Sequence, residues 1–271
     1  MNPVNQLGTA LITGASTGIG ATYADRLAHR GYDLILVARN QSELDAVARR
    51  LSAETGVRVR VLAADLIAES DLKTVEEALR DESALSLLVN NAGAATLGAF
   101  AKADIERLER DIRLNVLAPT RLARAALPGF LARNRGAIIN ISSVMSQMLQ
   151  PGISVYGATK SYLLHFSEVL ALELGASAVR VQAVLPGATR TALWDGSGVE
   201  LKDLPSEIVM DVDEMVDAAL AGFDQGELIT VPSLPDAGDW QRLANARSDL
   251  QPNLSHRHSA PRYKIALAAT G

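Results

Sequence analysis

Three side chains in the second half of the chain have the types and spacing for acid–base chemistry at a carbonyl. Tyr156 and Lys160 stand four residues apart in a stretch of helical character, so their side chains share a face. A phenol ordinarily ionises with a pKa of ~10, too high to act both as acid and as base around neutrality. An ammonium beside it favours the phenolate and is expected to lower that value. Ser143, thirteen residues before Tyr156, closes an apolar run. From there its hydroxyl can hydrogen-bond an oxygen and hold a carbonyl in place. Ser142 points elsewhere if that run is a strand, and reads as structural. A second kind of site lies near the N-terminus, in Thr13-Gly14-Ala15-Ser16-Thr17-Gly18-Ile19-Gly20. Glycines let the backbone turn tightly, and the helix start that follows offers free N–H donors and a positive dipole end to a phosphate.

The elements that must position these residues alternate in kind. Apolar runs at 7–13, 33–38, 57–63, 85–90, 136–142, 179–185 and 226–231 read as strands. Residues 19–29, 42–54, 71–81, 104–133 and 154–174 read as helices; Pro119 is expected to bend the fourth, and Pro128 falls near its end. Continuous apolar strands between helices imply parallel strands covered on both faces, joined by right-handed crossovers. The expected fold is α/β: a single doubly wound domain with a mainly parallel seven-stranded sheet, its ligands at the C-terminal strand ends. The second strand ends in Val37-Ala38-Arg39-Asn40. An acid at that corner suits the ribose 2′-hydroxyl of NAD, whereas an arginine suits a 2′-phosphate. Arg39 brings a planar, permanently charged donor fork, so NADP(H) is the expected cofactor.

These pieces, in this order, resemble the classical short-chain dehydrogenase/reductase family across roughly residues 7–231. The resemblance rests on Thr13 to Gly20, Asn90-Asn91-Ala92-Gly93, Asn115, Ser143, Tyr156 to Lys160 and Pro186-Gly187. It implies a Rossmann-fold enzyme with a nicotinamide dinucleotide extended over the strand ends, contacted by Gly14, Ser16, Thr17, Gly18, Ile19 and Gly20. Ala38 stands where NAD-preferring relatives often carry an acid, and Thr17 casts no second vote for the phosphate. Asp65 and Leu66 match the family's adenine contact, although Asp65 reads equally as a turn aspartate. Asn91, Ala92 and Gly93 are implied beside the adenosine ribose, with a share in bracing the sheet. Pro186, Gly187, Thr189 and Thr191 are implied around the carboxamide. Tyr156 is then general acid in reduction and base in oxidation. Lys160 lowers its pKa and binds the nicotinamide ribose, Ser143 orients the carbonyl, and Asn115 holds a water in a proton relay. The implied activity interconverts a ketone or aldehyde with its alcohol. Alternatives are a cofactor-sensing binding protein on the same fold and another Rossmann-like enzyme such as a methyltransferase; the intact Tyr-Lys-Ser set argues against both.

Composition limits partners and setting. The 271 residues carry 26 Lys plus Arg and 31 Asp plus Glu, a net charge of −5 that suits neither nucleic acid nor anionic lipid. No apolar run reaches the ~18 residues of a membrane span, and Met1 to Leu7 does not read as a signal peptide. There is no cysteine, which excludes disulfides and thiolate sites and fits a cytoplasmic setting. His29, His165, His256 and His258 show no metal spacing, and His256-Arg257-His258 reads as a solvated tail, so no metal is expected. Met145, Met148, Leu149, Ala192, Leu193, Trp194 and Leu201 are expected to border the substrate, which favours an apolar ketone. The family's habit of pairing its two long central helices implies a homodimer or homotetramer through 104–133 and 154–174. The domain is expected to use residues 1–232. Residues 233–271 form a C-terminal extension, either packed on the body or a neighbour or partly disordered. It holds Arg242, Arg247, Arg257, Arg262 and Lys264 against Asp236, Asp239 and Asp249, so the charge divides into −7 and +2.

Overall fold

The computed structural model of the chain describes residues 7–194 and 197–263; the first six residues and Lys264 lie outside them. These residues fall into two compact units that part between Pro232 and Ser233. The first alternates β1 (Thr9–Thr13), α1 (Gly18–His29), β2 (Asp33–Ala38), α2 (Gln41–Thr55), β3 (Val59–Ala63), α3 (Glu69–Asp81) and β4 (Leu85–Asn90). It continues with α4 (Ile105–Ile112), a π turn (Arg113–Leu117), α5 (Ala118–Ala132), β5 (Gly136–Ile141), α6 (Ser154–Leu174), β6 (Val179–Val184), α7 (Val212–Gln225) and β7 (Ile229–Thr230). The second unit contains α8 (Ala237–Leu250), which has no buried residue.

The seven strands form one sheet in the order β3-β2-β1-β4-β5-β6-β7, and every pairing is parallel. The order reverses between β1 and β4, which opens the crevice expected of a doubly wound sheet. Alternate residues of each central strand feed opposite faces. Ala10, Ile12, Leu34 and Leu36 pack with Tyr23 and Leu27 of α1, Leu44 of α2 and Met215 of α7. Leu11, Ile35, Val37 and Leu88 pack with Val75 of α3, Leu122 of α5 and Leu170 of α6. Both faces being apolar, the strands read as unbroken hydrophobic runs.

Helix ends follow local chemistry. Asn40 caps α2 by accepting from the N–H groups of Ser42 and Glu43, and Gly56 closes it in the left-handed region at φ 74°. The expected single helix over 104–133 is instead α4 and α5 joined through the π turn. The break lies at 113–117, and Pro119 sits in the first turn of α5, where its missing N–H costs nothing. Helix α7 is an addition to the expected elements.

Leu36 is fully buried, so Leu36→Ala is expected to lose about 2–5 kcal/mol of stability. Asn40→Ala, which removes only a cap, is expected to lose about 1 kcal/mol. Urea unfolding midpoints of the two variants check that ranking.

Candidate active site

Strand β1 delivers its C-terminus into a turn that must pass close to β4. Gly14 has φ 66°, and a Cβ there would lie 2.8 Å from Asn91 Nδ2 and 3.0 Å from Ala92 Cα. The two strand ends are sewn together. Thr13 Oγ1 accepts from the N–H groups of Asn91 and Ala92, both at 3.0 Å, and Asn91 Nδ2 donates to Thr13 O at 2.8 Å and Gly14 O at 3.2 Å. Asn91 therefore braces the sheet with its side chain. Thr17, at the N-cap of α1, makes no side-chain cap bond, and the first turn holds no acid. The free amides of that helix start are thus compatible with an anion.

A cavity of about 820 Å³ runs over the strand ends. Gly14, Ser16, Thr17, Gly18 and Ile19 line it, as do Arg39, Asp65, Leu66, Asn91, Ala92 and Gly93. Gly20 does not; it sits where a Cβ would overlap the Gly14 carbonyl, so its part is to let the turn close. Arg39 is exposed and makes no hydrogen bond or ion pair among the described residues. Asp65 accepts from Ile67 N at 3.1 Å, which is the turn role, while its residue still borders the cavity. Leu66 turns its side chain into the core. A phosphate-ready turn with an unpaired guanidinium at the next strand end fits a phosphorylated dinucleotide.

Pro186, Gly187, Thr189 and Thr191 bound the cavity on the β6 side. A Cβ on Gly18 would come within 3.2 Å of the Thr191 methyl, so the loop after β6 reaches the first turn. Thr189 O accepts from Trp194 Nε1 at 2.8 Å, which fixes the indole against that turn. Met145, Ala192, Leu193 and Trp194 line the cavity as expected, whereas Met148, Leu149 and Leu201 do not.

Ser143, Tyr156 and Lys160 line this cleft, whereas Asn115 does not, and all four are buried: Ser143 and Tyr156 are 7% exposed, Lys160 5% and Asn115 1%. The Lys160 ammonium lies 5.7 Å from the centroid of the Tyr156 ring and donates to Ile141 O at 2.8 Å. Ser142 Oγ donates to Lys160 O at 2.8 Å, a structural bond between β5 and α6. Ser143 Oγ accepts from Met145 N at 3.1 Å. Asn115, in the π turn, brackets Ala94: its Oδ1 accepts from Ala94 N at 3.0 Å and its Nδ2 donates to Ala94 O at 2.8 Å. The same Nδ2 donates to Thr159 Oγ1 at 3.1 Å, and Thr159 Oγ1 donates to Tyr156 O at 2.8 Å. Thr13 and Thr159 lie inside motifs quoted from the sequence but were given no role of their own there.

Electrostatics depart from the simple expectation. Burial pushes the Tyr156 phenol up to about 12; the Ser143 hydroxyl pulls it down and the Asp111 charge adds to the rise. Burial lowers the Lys160 ammonium to about 8. In the protein alone, desolvation therefore outweighs any help the amine gives the phenolate. Among the described residues no group of three or more His, Asp or Glu is arranged to hold a metal ion.

The family model described as short chain dehydrogenase matches residues 8–200. A short-chain dehydrogenase from Sphingobium yanoikuyae in complex with NADPH superposes with a TM-score of 0.92 at 50% identity, over 95% of this chain and 100% of that one. The bulky-bulky ketone specific alcohol dehydrogenase from Comamonas testosteroni superposes with a TM-score of 0.88 at 46% identity, over 96% and 99% of the two chains. The very-long-chain 3-oxoacyl-CoA reductase of Bos taurus is 34% identical over 188 residues, 68% of this chain but only 60% of the relative.

Because the native pKa of Lys160 lies below its unfolded value of 10.5, the unfolded chain binds more protons between pH 8 and 10.5. Stability from this group therefore rises with pH across that window. Lys160→Met removes the dependence, so its stability relative to wild type is expected to be highest at pH 7 and to fall towards pH 10.5. Urea unfolding at a series of pH values measures the difference.

Proposed function

The chain belongs to the short-chain dehydrogenase family, and we propose that it is an NADP(H)-dependent oxidoreductase interconverting a bulky, apolar ketone and its secondary alcohol. The observation that carries this reading is the convergence of Tyr156, Lys160 and Ser143 in one cleft whose other end presents an unpaired Arg39. The NADPH complex of the Sphingobium protein supports the cofactor, and the bulky-ketone specificity of the Comamonas protein supports the substrate class. The lining of Ala94, Ala95, Leu97, Leu114, Met145 and Leu193 supports it too, since small and apolar walls leave room for two large substituents and offer no cation to an anionic one.

When bound, the nicotinamide supplies or accepts the hydride. The protein handles the oxygen and its proton. Ser143 donates a hydrogen bond to the carbonyl oxygen and so fixes the carbonyl carbon in place. Tyr156 gives its phenolic proton to the same oxygen in reduction and takes it back in oxidation. Lys160, held by Ile141 O, keeps a positive charge near the phenol and reaches the nicotinamide ribose. Asn115 sits in a π turn, an irregularity frequent at functional sites, and this supports its place in a relay from Lys160. Gly14, Ser16, Thr17, Gly18, Ile19 and Gly20 form the pyrophosphate turn, and Arg39 takes the 2′-phosphate. Asp65, Leu66, Asn91, Ala92 and Gly93 flank the adenosine half. Pro186, Gly187, Thr189 and Thr191 flank the carboxamide.

No helix among the described residues is long and apolar enough to cross a membrane. The reading carries a cytoplasmic setting and a homo-oligomer. Leu131 of α5 and Tyr162, Val169 and Leu172 of α6 are exposed, which supports a second copy of this chain on that face as the partner.

Arg39→Ala is expected to weaken NADPH binding about 10-fold or more while leaving NADH within about 2-fold, as read by cofactor fluorescence titration. Equal losses for both cofactors would refute the assignment. Tyr156→Phe is expected to lower ketone reduction by at least ~10²-fold with NADPH affinity retained. A phenol shifted towards 12 stays protonated at neutral pH, so reduction should dominate there and alcohol oxidation should climb with pH. Initial rates in both directions from pH 6 to 10 check this.

A further inference from the structure

One buried carboxylate next to the reaction centre has no part in the scheme above. Asp111 is 3% exposed and lies one helical turn before Asn115. Neighbouring charges on its helix and the π turn, Glu106, Arg107, Glu109, Arg110 and Arg113, are exposed. Among the described residues no cation pairs with Asp111. An unpaired buried carboxylate is costly to keep, so its retention calls for what it holds.

It holds the wall of the substrate end. Asp111 Oδ2 accepts from Thr96 N at 2.7 Å, two residues beyond the Ala94 that Asn115 brackets. Two side chains one turn apart thus fasten three backbone groups of residues 94–98 to the helix. Ala95 and Leu97, on either side of Thr96, line the cavity. Beyond Thr96 the strip anchors two other loops: Leu97 N donates to Ser197 O and Gly98 N to Gly152 O, both at 2.8 Å. Gly198 is pressed so close that a Cβ would lie 2.8 Å from Leu97 O. The strip therefore sets where the loops after β5 and β6 stand around the carbonyl.

We propose that Asp111 is a positioning residue of the reaction, fastening residues 94–98 as the wall of the carbonyl's seat.

This proposal rests on the carbonyl-reductase reading. Asp111→Ala removes the acceptor for Thr96 N; hydrogen exchange of the Thr96 amide is expected to accelerate and ketone KM to rise several-fold while NADPH affinity holds. Asp111→Asn keeps an acceptor and is expected to retain slow Thr96 exchange and the wild-type ketone KM. Wild-type Thr96 protection and ketone KM in Asp111→Ala overturn the wall. If Asp111→Ala fails to fold, a Thr96 amide that exchanges freely in the folded wild-type protein overturns it instead. A wild-type protein that oxidises no alcohol overturns the underlying reading, while Thr96 exchange still reports on the wall.

Discussion

A parallel sheet covered on both faces leaves polar side chains few places to gather, and the edge where the strands end is the main one. Here that edge is stitched by hydrogen bonds between neighbouring strand ends. Thr13 and Asn91 exchange side-chain and backbone bonds between β1 and β4. Next to them Asn90 Nδ2 donates to Asn140 Oδ1 at 2.9 Å, joining β4 to β5, and Asn140 Nδ2 donates to Ser167 Oγ at 2.8 Å, joining β5 to α6. These bonds run in sequence from the glycine turn to the helix that bears Tyr156 and Lys160. Buried amides of this kind are costly to leave unpaired, which favours one geometry, although Asn90 Oδ1 finds no hydrogen-bond partner among the described residues. The cleft is precise because its floor is a hydrogen-bonded seam rather than a set of independent loops.

The strands were legible because both their faces are buried: 33–38 and 85–90 agree residue for residue with the structure, and the others differ only at their ends. The Tyr156–Lys160 pair was legible because helix spacing is rigid. What escaped has identifiable causes. Helix α7 carries apolar residues at Met215, Val216, Ala219, Leu220 and Phe223. Gly222 among them is required by space, since a Cβ there would strike the Thr230 hydroxyl. Helix α8 buries nothing, so no periodicity marks it. The π turn has no sequence signature except Pro119, which lies after it. Asp111 sits among Glu106, Arg107, Glu109, Arg110 and Arg113 and reads as one more surface charge. Only the packing of α4 against residues 94–98 sets it apart.

The same burial that organises the cleft decides its chemistry. Taken by spacing alone, Lys160 should make Tyr156 a better base. Enclosed between β5, α4 and α6, both groups instead shift towards their neutral forms, the phenol upward and the amine downward. Lys160 then depends on the Ile141 carbonyl for one of its hydrogen bonds, and Tyr156 on the Ser143 hydroxyl for what lowering it receives. A site tuned in this way stores a proton on the phenol at neutral pH. That is the state a carbonyl acceptor needs.

Room for the substrate follows from the same constraint. Where β4 ends, the chain must pass Lys160 and Asn115 closely; a Cβ on Gly93 would lie 3.2 Å from Asn115 Oδ1 and 3.4 Å from Lys160 Nζ. Small residues are therefore required where these side chains meet, and the run Ala92-Gly93-Ala94-Ala95 carries that smallness on along the cleft. Backbone, not bulky side chains, forms this wall, and backbone has to be fastened by something. Asn115 and Asp111 do so from the adjacent helix, at Ala94 and Thr96. An apolar cleft and a buried carboxylate behind its wall are thus two consequences of one requirement: a thin wall of backbone needs an anchor.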